Sequence, residues 1–95
     1  MIDPSKSLSP LKVGNNVLIR TITMIQTGRI VELNDLEVVL SDAAWIADTG
    51  RFNNALVYGT LNEIEPFPGP EPISVNRGSI IDVVLWKHPL PREQK

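Results

Sequence analysis

Gly28-Arg29-Ile30-Val31-Glu32-Leu33-Asn34-Asp35-Leu36-Glu37-Val38-Val39-Leu40-Ser41 decides the fold class of this 95-residue chain. Two short aliphatic, β-branched runs broken by Asn34-Asp35 read as strands joined by a hairpin turn. In the second run Leu36, Val38 and Leu40 alternate with Glu37, Val39 and Ser41, giving one core face and one half-wet face. Upstream, Val13-Gly14-Asn15-Asn16 is a turn and Val17-Leu18-Ile19-Arg20-Thr21-Ile22-Thr23 a strand. Val17, Ile19 and Thr21 share one of its faces; Leu18, Arg20 and Ile22 share the other. Met24-Ile25-Gln26 extends that strand or makes a brief one of its own, and Thr27-Gly28 supplies a tight turn into the hairpin. Three sequential strands with short turns form a meander, and the lack of βαβ spacing excludes a parallel sheet.

Further along, Asp48 or Thr49 is expected to cap a helix from Gly50 to Tyr58, with Gly59 as its left-handed stop. Phe52, Ala55 and Leu56 give that helix an apolar stripe wide enough to pack on a sheet. Leu61 to Glu65 is a brief extended segment. Pro66-Phe67-Pro68-Gly69-Pro70-Glu71-Pro72 is a stiff connector, because its prolines remove donors and fix φ. Ile73-Ser74-Val75, a turn at Asn76-Arg77-Gly78-Ser79, and Ile80-Ile81-Asp82-Val83-Val84-Leu85-Trp86 follow. The last run is the most apolar and is expected to lie centrally. The fold expected is mainly β (α+β): a small five-stranded antiparallel, partly open barrel of SH3-like type with one short inserted helix. Residues 1–12 form a flexible lead-in, 13–86 one β-rich domain, and 87–95 a proline-punctuated basic C-terminal tail.

Composition narrows the function. At 42% apolar and 21% charged the chain is globular rather than disordered. A domain this small buries only roughly 60–65% of its unfolded surface, so self-association would stabilise it, and a homo-oligomer is expected. The formal charge of −2 argues against nucleic acid as a partner. No cysteine is present, which excludes disulfides and thiolate metal sites and points to a reducing compartment. Met1 to Lys6 lacks the basic and apolar regions of a signal peptide, and no apolar run approaches the ~20 residues of a membrane span. The expectation is a cytoplasmic protein without membrane contact.

Catalytic groups are scarce. His88 is the only histidine, with no carboxylate placed in sequence to orient it, and no classical nucleophile–base pair is available. Asp42 and Asp48 read as a strand-end turn and a helix cap sooner than as an acid/base pair. No ligand spacing for zinc or calcium occurs, so no metal and no cofactor is expected, and the chain reads as a non-enzyme.

Binding groups are better supplied. Trp45, Asp48, Thr49, Gly50, Arg51 and Phe52 fall within the stretch between the third strand and the helix; Arg20 and Arg77 sit in or beside turn-rich segments. These eight are the candidate ligand-binding residues. Trp45 and Phe52 offer ring faces for a planar base, the three Arg suit a bidentate anion, and the helix start offers backbone N–H groups. Each also has a structural reading: the rings as core aromatics clamping a loop over the sheet, Arg51 as an ion-pair partner of Asp48 or Asp42, and Arg77 as a solvated turn residue.

The runs Arg20-Thr21-Ile22-Thr23, Thr27-Gly28-Arg29, and Leu40-Ser41-Asp42-Ala43-Ala44-Trp45-Ile46-Ala47-Asp48-Thr49-Gly50-Arg51-Phe52 carry a resemblance. Glu63-Ile64-Glu65-Pro66-Phe67, Arg77-Gly78-Ser79-Ile80-Ile81-Asp82 and Leu90-Pro91-Arg92-Glu93-Gln94-Lys95 fit the same pattern. Together they resemble a small family encoded largely by bacteriophages and prophages, to which no activity is attached. The resemblance covers nearly everything after residue 13 and implies a phage context, hence the host bacterial cytoplasm. From that context comes the expectation of a counter-defence binding protein, a sponge that sequesters a nucleotide-derived immune signal such as a cyclic oligonucleotide or cyclic ADP-ribose. The alternative expectation is a protein-interaction module, either a virion accessory or an inhibitor of a host protein.

Overall fold

Alternating apolar positions resolve into six strands and one helix in a computed structural model that describes residues 7–95. They are β1 (Asn16–Thr21), β2 (Ile25–Leu33), β3 (Glu37–Asp48), α1 (Phe52–Tyr58), β4 (Glu63–Pro66), β5 (Ile73–Asn76) and β6 (Ile80–Leu85). Half of the expected lead-in, residues 1–6, lies outside the described residues. All pairings are antiparallel, in the order β4-β3-β2-β1-β6, with β5 also on β3. The mainly β architecture with one short helix is therefore as expected. The strand count is not: six strands replace five, because Glu63–Pro66 pairs with β3 instead of merely lying extended. Nor does the sheet close, since no ladder among the described residues joins β6 to β4 or β5.

The length of β3 explains the extra strand. Its first half, Glu37 to Leu40, pairs with β5, and its second half, Ala44 to Asp48, pairs with β4. Between the halves Asp42 takes φ 50°, a left-handed conformation that Asp tolerates better than most side chains. Opposite, the β2–β3 register shifts between Thr27 and Arg29. Gly28 makes the bend possible: a Cβ there would stand 3.0 Å from Leu40 Cβ and 3.3 Å from Ala43 Cβ. Arg29 fastens it, donating to Ser41 Oγ at 2.8 Å and Asp42 Oδ2 at 2.9 Å.

Two segments expected to turn are strand instead. Thr27 and Gly28 lie inside β2, not in a turn; the chain reverses at Ile22 and Thr23. The expected loop after Ser41 is strand as far as Asp48, because its small residues Ala43, Ala44 and Ala47 fit a tightly packed bent sheet.

Both faces of the sheet are covered. Val17, Ile19, Ile30, Val38, Leu40, Ala43 and Val75 form one core. Leu18, Ala44, Ile46, Ala55, Leu61, Ile64 and Trp86 form the second, which α1 and the C-terminal segment roof over. Residues 87–95 pack against the sheet. Lys95 exchanges two backbone hydrogen bonds of 3.0 Å with Ile64, and Arg92 donates to the carbonyls of Ala43 (2.7 Å) and Phe67 (3.0 Å). β6, expected to be central, ends the sheet.

Candidate binding face

Trp45 stands on β3 between Gln26 of β2 and Glu65 of β4, so strand pairing fixes its backbone on both sides. Its neighbours Ala44 and Ile46 point into the second core, and alternation turns the indole the other way, leaving it 39% exposed. The ring borders a hollow of about 350 Å³ lined by Arg20, the β1–β2 turn, Ile46, Ala47 and Ile81. Thr21 shapes that turn: its N–H and Oγ1 both donate to the Met24 carbonyl, and its Oγ1 accepts from the Met24 N–H at 3.0 Å. The turn thus holds Ile22 and Met24 outward, and both are exposed, as is Ile81. Four large apolar side chains around one open hollow are an unusual thing to leave wet.

Arg20 is committed. Its Nε donates to Asp82 Oδ1 at 2.8 Å, the second guanidinium nitrogen bonds Asp82 Oδ2, and its Cζ lies 5.2 Å from the Phe52 ring centre. The hydrogen bond from Arg20 holds the Asp82 carboxyl below its ordinary value, and the same bond raises the guanidinium above its own. The cation that lines the hollow is thus neutralised by Asp82 rather than bare.

The other candidate residues are placed differently from expectation. Asp48 Oδ1 accepts the Gly50 N–H at 2.8 Å, so a donor expected to face an anion is filled from within the chain. Thr49 Oγ1 donates to the Gly50 carbonyl, and Gly50, at φ 68°, turns against Asn62. Neither Asp48 nor Thr49 caps the helix, as expected of one of them; Arg51 occupies that position without a side-chain cap. The helix starts two residues late, at Phe52, and Gly59 ends it at φ 74°, as its sequence position predicts. Phe52 is half-buried against the second core. The Arg51 side chain makes no hydrogen bond or ion pair among the described residues, since Asp42 is taken by Arg29 and Asp48 by Gly50. Arg77 lies elsewhere, donating to the Asn34 carbonyl at the β2–β3 turn. The structure therefore brings Arg20, Trp45 and, through Arg20, Phe52 together, and leaves Arg77 apart.

Sequence reasoning misses Ile22, Met24 and Ile81, which read as ordinary strand residues. It also misses the hollow of about 600 Å³ lined by Tyr58, Leu61, Trp86, His88 and the C-terminal segment. That larger space is a seam more than a site. His88 Nε2–H donates to the Leu56 carbonyl at 2.8 Å and its ring meets Trp86 edge-on, while Arg92 serves backbone carbonyls. The Lys87-His88-Pro89-Leu90-Pro91 run was the available signal, because paired prolines stiffen a segment that must lie flat. No cluster of three metal-ligating side chains occurs among the described residues. No helix among them is long and apolar enough to cross a membrane.

No protein-family model matches the chain, and no curated protein or solved structure is significantly similar to it.

Proposed function

We propose that the protein is a non-enzymatic binding module that engages another protein through the Trp45 face. The observation that carries this reading is the composition of the hollow: Ile22, Met24, Trp45 and Ile81 exposed beside an Arg20 already satisfied by Asp82. An aromatic anchor with aliphatic neighbours and a paired cation beside them resembles the centre of a protein interface, where Trp and Met are enriched and charge is depleted. Read with the phage resemblance, this makes an inhibitor of a host protein or a virion accessory.

A second reading, the nucleotide sponge, is favoured by one observation. Arg51 has no partner among the described residues, and such a guanidinium is suited to phosphate. Arg20 and Arg77 do not join it, so a sponge would draw its remaining cations from a second chain.

Two measurements separate the readings. Wild type and Trp45→Ala are used to capture proteins from a bacterial host lysate, and a captured species is then titrated in purified form. A partner lost with Trp45→Ala and again with Ile22→Ala supports the interaction module; one retained by both variants overturns it. Calorimetry with cyclic di- and trinucleotides and cyclic ADP-ribose isomers tests the sponge. Stoichiometric binding abolished in Arg51→Ala supports that reading, and no shift with any compound rejects it.

A further inference from the structure

We propose that the outer edge of β6 pairs antiparallel with β6 of a second copy of this chain, about a two-fold axis at Val83. This pairing does not depend on what the Trp45 face binds.

The strand is built for a neighbour it lacks among the described residues. Ile80-Ile81-Asp82-Val83-Val84-Leu85 is the most apolar run in the sequence and contains no proline, lysine or glycine. Such a run belongs inside a sheet, yet among the described residues β6 pairs only with β1. A long apolar edge without these guards is a template for another strand. The other borders of the sheet are guarded. Ile64 of β4 exchanges both backbone hydrogen bonds with Lys95, and β5 is four residues long and follows Pro70 and Pro72.

Hydrogen-bond phase shows which groups are spare. Trp86 N–H donates to the Asn16 carbonyl at 2.9 Å. Alternation then turns the backbone groups of Val84 and Asp82 toward β1 as well, and aims those of Val83 and Leu85 outward. With Val83 facing Val83 of the second copy, these two residues exchange both their N–H and C=O groups. The same register sets Leu85 opposite Ile81 of the second copy. Both side chains are exposed in the single chain, Leu85 by 45% and Ile81 by 62%.

Charge does not oppose the contact. Asp82 is the only ionisable residue of β6, and Arg20 of the same chain holds it at both oxygens, so no bare carboxylates meet near the axis. Geometry also limits growth: a two-fold contact uses the same edge of both chains and closes, where a heterologous one would propagate. Because Ile81 lines the Trp45 hollow, Leu85 of the second copy would extend that hollow's rim.

Sedimentation of the full chain over a concentration series, with amide hydrogen exchange at its upper end, tests the pairing. The mass is expected to double with concentration, and the Val83 and Leu85 amides to become protected as it does. Leu85→Lys and Ile81→Lys place a charged head on the edge while leaving the inward hydrogen bonds of β6 intact. Both should keep the dilute wild-type circular dichroism and melting temperature and halve the associated mass. A wild type that stays one chain throughout overturns the proposal. So does an associated form in which the Val83 and Leu85 amides exchange freely, or one that persists in both lysine variants.

Discussion

Thr27 shows how the molecule tolerates a local cost. Its side chain is fully buried in β2, and its hydroxyl is without a hydrogen-bond partner among the described residues. A buried donor left unmade costs about 1–3 kcal/mol, whereas the β-branched shape it needs is supplied equally by valine. Thr27→Val is expected to raise the free energy of unfolding by about 1 kcal/mol in urea titration. A loss of stability would show that the hydroxyl bonds an ordered water. Asp82 makes a prediction about pH. Its folded pKa lies below the ordinary carboxylate value of 3.8 because Arg20 bonds it, so its contribution is complete above that value. That contribution fades as pH falls through the lower folded pKa. The stability difference between wild type and Asp82→Asn should be flat near neutrality and close in acid. It should also be small and shrink with salt, since both side chains are more than two-fifths exposed.

At the scale of elements, the bent β3 decides where everything else goes. Gly28→Ala would press a methyl group onto Leu40 and Ala43 at the bend. Overpacking there is expected to cost about 1–3 kcal/mol, read as a lower midpoint of denaturation without change in slope. An unchanged midpoint would mean the bend is not held by this contact. The same glycine explains what could be read in advance. Val17, Ile19, Val38 and Leu40 announce their strands by simple alternation, and the β2–β3 meander follows from them. Gly28 reads as a turn in the sequence because glycine in a strand and glycine in a turn look identical without the facing Leu40. The segment after Ser41 reads as a loop because Ala43, Ala44 and Ala47 have weak strand propensity, which tertiary pairing with β2 and β4 overrides. Trp45 stands out in the sequence as a large aromatic among small residues. Its neighbours Ile22, Met24 and Ile81 do not, since each belongs to an unremarkable apolar run until the turn and the sheet edge bring them to one hollow.

Considered whole, the molecule is a two-faced sheet strapped by its C-terminal segment. Arg92 ties β3 and the connector together through the carbonyls of Ala43 and Phe67. Arg92→Ala is expected to cost about 1–3 kcal/mol in thermal or chemical unfolding and to loosen amide protection along β4. Unaltered protection would mean that the Lys95–Ile64 bridge holds the segment without it. The same wrapping that buries Trp86 leaves Trp45 outside, which is the premise of the binding account. Acrylamide quenching of dilute protein carrying Trp86→Phe reads the Trp45 indole alone. The account predicts red-shifted emission and efficient quenching, both reduced when a partner docks; a blue-shifted emission shielded from acrylamide in the isolated protein would contradict it.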